Sequence, residues 1–280
     1  MTGVSNLDAA TVRDFGREWE SFDQQGLPEE EADELFHRYF ATFPWDQLPP
    51  DAEGADVGCG TGRWAAKVAP RVGSLHCIDA STQALQIAAG LAGHLENCTL
   101  HRASVDALPV ADGSLDFCYS LGVLHHVPDL EAGLRSCVAT LKPGAPFLVY
   151  LYYALDGRPW WFRRLWSVTD AARRVVSRLP HAVKLPLTTA VAASVYWPLA
   201  RAARVAARRG HRIDAWPLGF YADRSFYVMR TDALDRFGTR LEQRVTRSEM
   251  AAMLERAGLV DVCFGDEPPY WCATGRRAAP

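Results

Sequence analysis

Three observations predict an α/β fold in which a largely parallel sheet carries helices on both faces. Short strand-like runs alternate with helical stretches at a steady pace between residues 51 and 153. A glycine loop, Gly58-Cys-Gly-Thr-Gly62, falls between the first such run and the helix after it. The apolar run Phe147-Leu-Val-Tyr-Leu-Tyr-Tyr153 reads as a strand buried on both faces. The chain has 280 residues, 49% hydrophobic and 22% charged, enough to build a sizeable core. That composition excludes a mini-protein, a collagen-like repeat and a wholly disordered chain.

The elements follow in order. Glu29, Glu30 and Glu31 precede Leu35, Phe36, Tyr39 and Phe40, so residues 29–43 predict an amphipathic helix with a favourably charged first turn, ended by Pro44, Pro49 and Pro50. Residues 51–58 read as a strand entering the glycine loop, 61–68 as its helix and 74–79 as a second strand. Residues 81–93 form the next helix, capped by Ser81. Strands at 99–103 and 116–121, a helix at 130–141, a turn at 142–145 and the strand 147–153 complete the alternation. It then stops: residues 155–240 place Trp, Arg and Ala at helical spacings between prolines. It resumes at 246–257, where Thr246-Arg-Ser-Glu249 fits a capping box and Gly258 a C-cap, before a strand pair at 259–264 and 270–274. The expected organisation is an N-terminal helical segment 1–50, a core 51–154, an insertion 155–240 and a return to the core over 241–280.

Charge and cysteines narrow the function. The formal net charge of −3 announces no polyanionic partner. Charge is segregated, however: residues 1–56 hold fourteen acids against three arginines, and residues 158–212 hold twelve Lys/Arg against one acid, Asp170. Either these segments face water or each other, or the basic one meets an anionic substrate or a membrane surface. Seven cysteines without C-x-x-C spacing disfavour a disulfide framework and a zinc ribbon, and no metal is expected. Met1 to Asp8 has neither the basic nor the apolar region of an export signal, so a reduced, cytoplasmic protein is expected. The longest uncharged run, 185–200, has sixteen residues and includes prolines and hydroxyls, so no transmembrane segment is expected.

The strongest chemical signal is Ala55-Asp-Val-Gly-Cys-Gly-Thr-Gly62. Glycines between strand and helix let backbone amides approach a ligand without side-chain obstruction. Asp79 ends the next strand, where a carboxylate can accept hydrogen bonds from ribose hydroxyls, and Asp106 follows the third strand, where an adenine edge could lie. The spacing G-x-G-x-G, unlike G-x-G-x-x-G, argues against a dinucleotide. With these residues the sequence resembles the class I S-adenosylmethionine-dependent methyltransferases, in particular those acting on small molecules (methyltransferase type 11-like). Asp56 to Gly62 looks like the family's first motif, and Cys77-Ile-Asp-Ala-Ser81 like its second. The run from Ser104 to Asp116 resembles the adenine-side motif, while Leu121-Gly-Val-Leu-His-His-Val-Pro-Asp129 and Leu141-Lys-Pro-Gly144 match the next two landmarks. The first strand, Glu53-Gly-Ala-Asp-Val57, is poorer in large apolar residues than the family's pattern.

The resemblance implies a Rossmann-like doubly wound seven-stranded sheet with its last strand antiparallel, and S-adenosylmethionine as cofactor, leaving as S-adenosylhomocysteine. It puts the methionine portion over Asp56, Gly58, Cys59, Gly60 and Gly62, and the ribose on Asp79. Adenine would lie among Ala80, Val105, Asp106 and Ala107, with the backbone of Ser120 and Leu121 beside the cofactor. His126 or His125 is the candidate general base, since imidazole titrates near neutral pH, although a histidine there can equally pack beside the cofactor. Tyr152 and Tyr153 are read as ending the fifth strand, one facing the pocket and one the core. Phe15, Trp19 and Phe22 recur at helical spacing in segment 1–50, as core or as a lid that excludes water. The insertion 155–240 is expected to cap the substrate, with Tyr221 and Arg224 as contacts. Glu267-Pro-Pro-Tyr270 resembles an element of nucleic-acid amino-methyltransferases but sits between the last two strands, so it reads as a loop. A small-molecule acceptor, methylated on oxygen or nitrogen, is the leading reading. A nucleic-acid methyltransferase is disfavoured because no binding module or base-flipping signature is visible. A catalytically silent interaction subunit is the third reading.

Overall fold

The computed structural model describes residues 5–155, 159–213, 216–267 and 269–279. The chain divides into two compact units: Met1–Asp23, Leu35–Ala154 and Leu241–Pro280 make the first, Gln24–Glu34 and Leu155–Arg240 the second.

Within the first unit the described strands are β1 (Glu53–Val57), β2 (Ser74–Asp79), β3 (Cys98–Arg102), β4 (Phe117–Leu121), β5 (Pro146–Tyr150), β6 (Leu259–Phe264) and β7 (Cys272–Arg277). They form one seven-stranded sheet in the order β3-β2-β1-β4-β5-β7-β6. The pairings from β3 across to β5 are parallel, and β7 runs antiparallel to both neighbours. The strand order reverses between β1 and β4, the switch point where open α/β sheets bind ligands at the carboxyl ends of their strands.

The helices, in chain order, are α1 (Ala9–Ser21), α2 (Glu29–Tyr39), α3 (Ala65–Val68), α4 (Thr82–Leu91), α5 (Leu130–Thr140), α6 (Trp160–Val176), α7 (His181–Val191), α8 (Trp197–Arg208), α9 (Phe226–Gly238) and α10 (Arg247–Arg256). Ser81 caps α4 by accepting from the Ala84 amide, and Asp129 caps α5 through Ala132. The capping box at α10 is complete, with Gly258 in the left-handed conformation just beyond it. The core of this unit gathers Val57, Ile78, Phe147 and Val149 from the sheet, Leu115 just before β4, and Met250 and Leu254 from α10.

Several boundaries differ from the sequence expectation, four of them by more than two residues. The helix after the glycine loop begins at Ala65, because Gly60 and Gly62 at φ +54° and +80° hold the chain in a turn. The helix expected over 29–43 ends at Tyr39, and Phe40 and Phe43 instead turn inward onto Trp45. Strand β5 ends at Tyr150, so Tyr152 and Tyr153 lie past it, Tyr153 joined to Val245 by a single bridge. Strand β7 starts at Cys272, after Trp271 at φ +66°, and runs on through polar Arg276 and Arg277, paired with Pro146 and Leu259 respectively. The small residues of β1 also find their reason: a Cβ on Gly54 would stand 2.2 Å from the ring of Phe117, its register partner on β4. Of Glu267-Pro-Pro-Tyr270, Pro268 lies outside the described residues, as does Arg158 of the basic segment.

In the second unit α6 and α7 pack on α9, and a π-helical turn over Ala192–Tyr196 joins α7 to α8. Ala192, Tyr196, Ala200, Met229 and Ala233 form its apolar cluster, and charged groups are buried beside α9. Arg173 donates to Asp170 at 2.8 Å and to the carbonyl of Thr239, and buried Lys184 donates to the carbonyls of Ser177 and Gly238 at the ends of α6 and α9.

Candidate active site

The site is built at the carboxyl ends of β1, β2 and β4. Gly58, Gly60 and Gly62 all have positive φ (+79°, +54°, +80°). A Cβ on Gly58 would stand 2.4 Å from the Val123 methyls, and one on Gly62 would stand 3.2 Å from the Ala88 backbone. Glycine is therefore required here by conformation and by close approach. Asp79, half-buried at the end of β2, accepts from the amide of Gly60 at 2.9 Å and from that of Ser81 at 2.7 Å. Burial pushes its pKa up, while these two amides oppose the shift. Each carboxylate oxygen accepts one of these bonds and retains a second lone pair for a ligand hydroxyl.

Beneath the loop, Asp56 is buried and accepts a hydrogen bond from the Tyr119 hydroxyl at 3.0 Å. Burial raises its pKa to about 8. Cys59 is buried beside it, its thiol pushed up by the same desolvation. Ser120 turns its hydroxyl to the Val57 carbonyl at 2.8 Å, tying β4 to β1, and Leu121 ends β4. On the other side of the switch point Val105 is buried, while Asp106 and Ala107 are exposed and Ala80 is half-buried. Asp106 accepts from the Asn6 amide at 2.9 Å and from the Ser104 hydroxyl, which together hold its pKa below the usual carboxylate range.

Helix α1 packs on α4 and brings two aromatics to the loop. Trp19 lies beside Gly60, where a Cβ would meet its indole at 3.4 Å, and Phe15 packs on the His126 ring with centroids 4.9 Å apart. Phe22 is buried in the unit's interior. The segment before α1 is fastened by Asn6, whose side chain exchanges two hydrogen bonds with the backbone of Asp129, at 2.7 and 2.8 Å. Sequence reasoning missed Asn6, since no motif surrounds it.

After β4 the chain turns through a short 3-10 segment, Leu124–His126, that buries both histidines. His126 donates from Nδ1 to the Leu241 carbonyl at 2.6 Å, which leaves the lone pair of the neutral ring on Nε2. His125 lies between His126 and Tyr152, with centroid distances of 4.0 and 3.9 Å. Neither ring nitrogen of His125 finds a hydrogen-bond partner among the described residues, and burial drives its pKa well below the ordinary imidazole range. Arg244 stands over the Tyr152 ring at 5.0 Å. Tyr153 points elsewhere, against Tyr270 and Trp271. In the second unit Arg224 is buried and held by both oxygens of Glu34 at 2.9 and 3.0 Å, and Tyr221 donates to Asp232 at 2.8 Å. No cluster of His, Cys, Asp or Glu among the described residues has metal-ligating geometry.

Together, sheet order and glycine cradle define a Rossmann-like methyltransferase fold. Residues 55–144 match the family model described as a methyltransferase domain. Ubiquinone biosynthesis O-methyltransferase from Albidiferax ferrireducens is 29% identical over 51% of this chain and 58% of its own length. Demethylmenaquinone methyltransferase from Staphylococcus aureus is 34% identical over 32% of this chain and 38% of its own. Norajmaline N-methyltransferase from Rauvolfia serpentina is 30% identical over 35% of each chain. The first two curated relatives, the A. ferrireducens enzyme and a Bacillus subtilis methyltransferase, are spanned over 58% and 40% of their lengths. Among solved structures, YcgJ from B. subtilis superposes with a TM-score of 0.51 at 16% identity, covering 81% of this chain and 70% of that one, a likeness of fold. Residues 55–144 thus carry a methyltransferase domain, and the chain is similar to the class I S-adenosylmethionine-dependent methyltransferases, whose cofactor is S-adenosylmethionine.

Proposed function

We propose that this protein transfers a methyl group from S-adenosylmethionine to an oxygen or nitrogen of a small-molecule acceptor. The observation that carries the reading is the cradle of Gly58, Gly60 and Gly62, joined to Asp79 through the Gly60 amide. This cradle fits the cofactor: a side chain at Gly58 or Gly62 would collide with neighbouring atoms, and the half-buried carboxylate at the end of β2 has acceptor capacity for a diol. Bound there, the cofactor supplies an activated methyl on a sulfonium.

The glycine amides and Cys59 would hold the methionine portion, Asp79 the ribose, and Ala80, Val105, Asp106 and Ala107 the adenine, with Ser120 and Leu121 alongside. Asp56 would support the loop from below. His126 is the proposed base, its ring oriented by the bond from Nδ1 to the Leu241 carbonyl. His125, kept neutral by burial, and Tyr152, stacked on it, would position that ring. Trp19 and Phe15 of segment 1–50 would exclude water. Acceptor selection is assigned to residues 155–240 and Tyr153, and Tyr221 and Arg224 would shape the insertion through their internal partners. Relatives named as O- and N-methyltransferases of small molecules support this acceptor class. Incubating the protein with labelled methyl donor and an extract of its own organism, then identifying the labelled product by mass spectrometry, tests the reading. Label found only in nucleic acid, or no label at all, overturns it.

A further inference from the structure

We infer that the exposed apolar stripe of α6, with the arginines beside it, docks on an anionic lipid bilayer. The usual polarity of a surface helix is reversed here. In α6 the side packed toward α9 carries Asp170 and Arg173, whereas Trp161, Leu165, Val168, Ala172 and Val175 form an exposed stripe spaced four, three, four and three residues apart. Val168 is 69% exposed and Val175 64%, so the stripe faces outward. Val183 and Leu187 are likewise exposed on α7, where Lys184 and Thr188 are inside. An exposed apolar stripe running the length of α6 marks an interaction surface.

Charge selects the occupant. Arg163, Arg164 and Arg174 are exposed along α6, and Arg178 is exposed just past its end. The one acid from 159 to 212, Asp170, is buried and already bonded to Arg173 and Arg174. A surface with arginines bordering Val, Leu and Trp matches acyl chains below and anionic headgroups above. Pairing with a second copy of this chain would set like charges opposite each other. Nucleic acid would meet the arginines but leave the aliphatic stripes uncovered. No helix among the described residues is long and apolar enough to cross a membrane, so the contact is interfacial.

The test is co-sedimentation of the full chain with sucrose-loaded vesicles of phosphatidylcholine alone or equimolar with phosphatidylglycerol. Binding should be at least about ten-fold tighter to the anionic vesicles and weaken with salt. The double variant L165S/V168S should lose at least about ten-fold of it, and R163Q/R164Q should lose most of the preference for anionic lipid. Calorimetric binding of S-adenosylmethionine, unchanged in both variants, certifies their fold. The inference is overturned by equal or absent binding to the two vesicle types, or by wild-type binding of the serine variant. A dimer dissolved by L165S/V168S, or RNA binding indifferent to it, with no vesicle binding, overturns it equally.

Discussion

Four residues in the site carry separable predictions. Asp79 bridges the glycine loop and the start of α4 while offering acceptors to a ligand. Replacing it with Ala should weaken S-adenosylmethionine binding by roughly 1.5–3 kcal/mol, the range of charge-assisted hydrogen bonds. Unchanged calorimetric affinity would remove it from the site. The two histidines should part company. His126→Gln should lower turnover about 10²–10⁴-fold with cofactor affinity kept, while His125→Phe, which replaces a neutral stacked ring by another, should retain turnover. Equal losses in both variants would mean that neither acts as base. Asp56 bears on stability and pH. Its folded pKa of about 8 lies above the ordinary 3.8, so the native state keeps a proton that the unfolded chain releases. Its contribution is therefore fully present below the unfolded value and is lost as pH rises through the folded one, at up to about 1.4 kcal/mol per pH unit in between. Asp56→Asn preserves the acceptor for Tyr119 and should flatten urea midpoints measured between pH 5 and 8. A slope identical to wild type would place the titration elsewhere.

At the level of elements, the capping box of α10 gives a clean test: Thr246→Ala should cost about 1 kcal/mol in chemical denaturation, with cofactor affinity untouched. That motif was legible because capping is a matter of residues three apart. So were the strands around the switch point, whose apolar runs and glycine punctuation are local signals, and with them the loop of Gly58 to Gly62 and Asp79. What escaped was non-local. Asn6 meets Asp129 across 123 positions, and His126 is oriented by a backbone carbonyl 115 positions away, which leaves no trace in side-chain pattern. The end of β5 was overread because Tyr152 and Tyr153 are apolar enough to continue a strand but serve as packing beyond it. The polar half of β7 was underread, since Arg276 and Arg277 pair as backbone while their side chains reach the carbonyls of Gly144 and Ala139. In α6 and α7 periodicity identifies helices but not their inward faces, because buried Arg173 and Lys184 are satisfied by helix-end carbonyls.

For the whole molecule, the discontinuity of both units matters more than any one contact. The second unit gathers residues from two stretches of chain, and the first from three. Neither is a contiguous segment, so excising residues 155–240 should not yield the second unit intact. The same discontinuity bears on birth at the ribosome. Strand β5, with Phe147, Leu148 and Val149 all buried in the finished protein, takes β7 as its partner on one edge. The roughly 120 residues between them need on the order of 6–24 s to be made at typical synthesis rates, and through that interval an apolar edge stands open. A chain stopped before residue 259 should therefore be recovered as aggregate, and a soluble monomer by size-exclusion chromatography would contradict this. Nascent chains of this protein should need a chaperone's shelter until their last strand emerges.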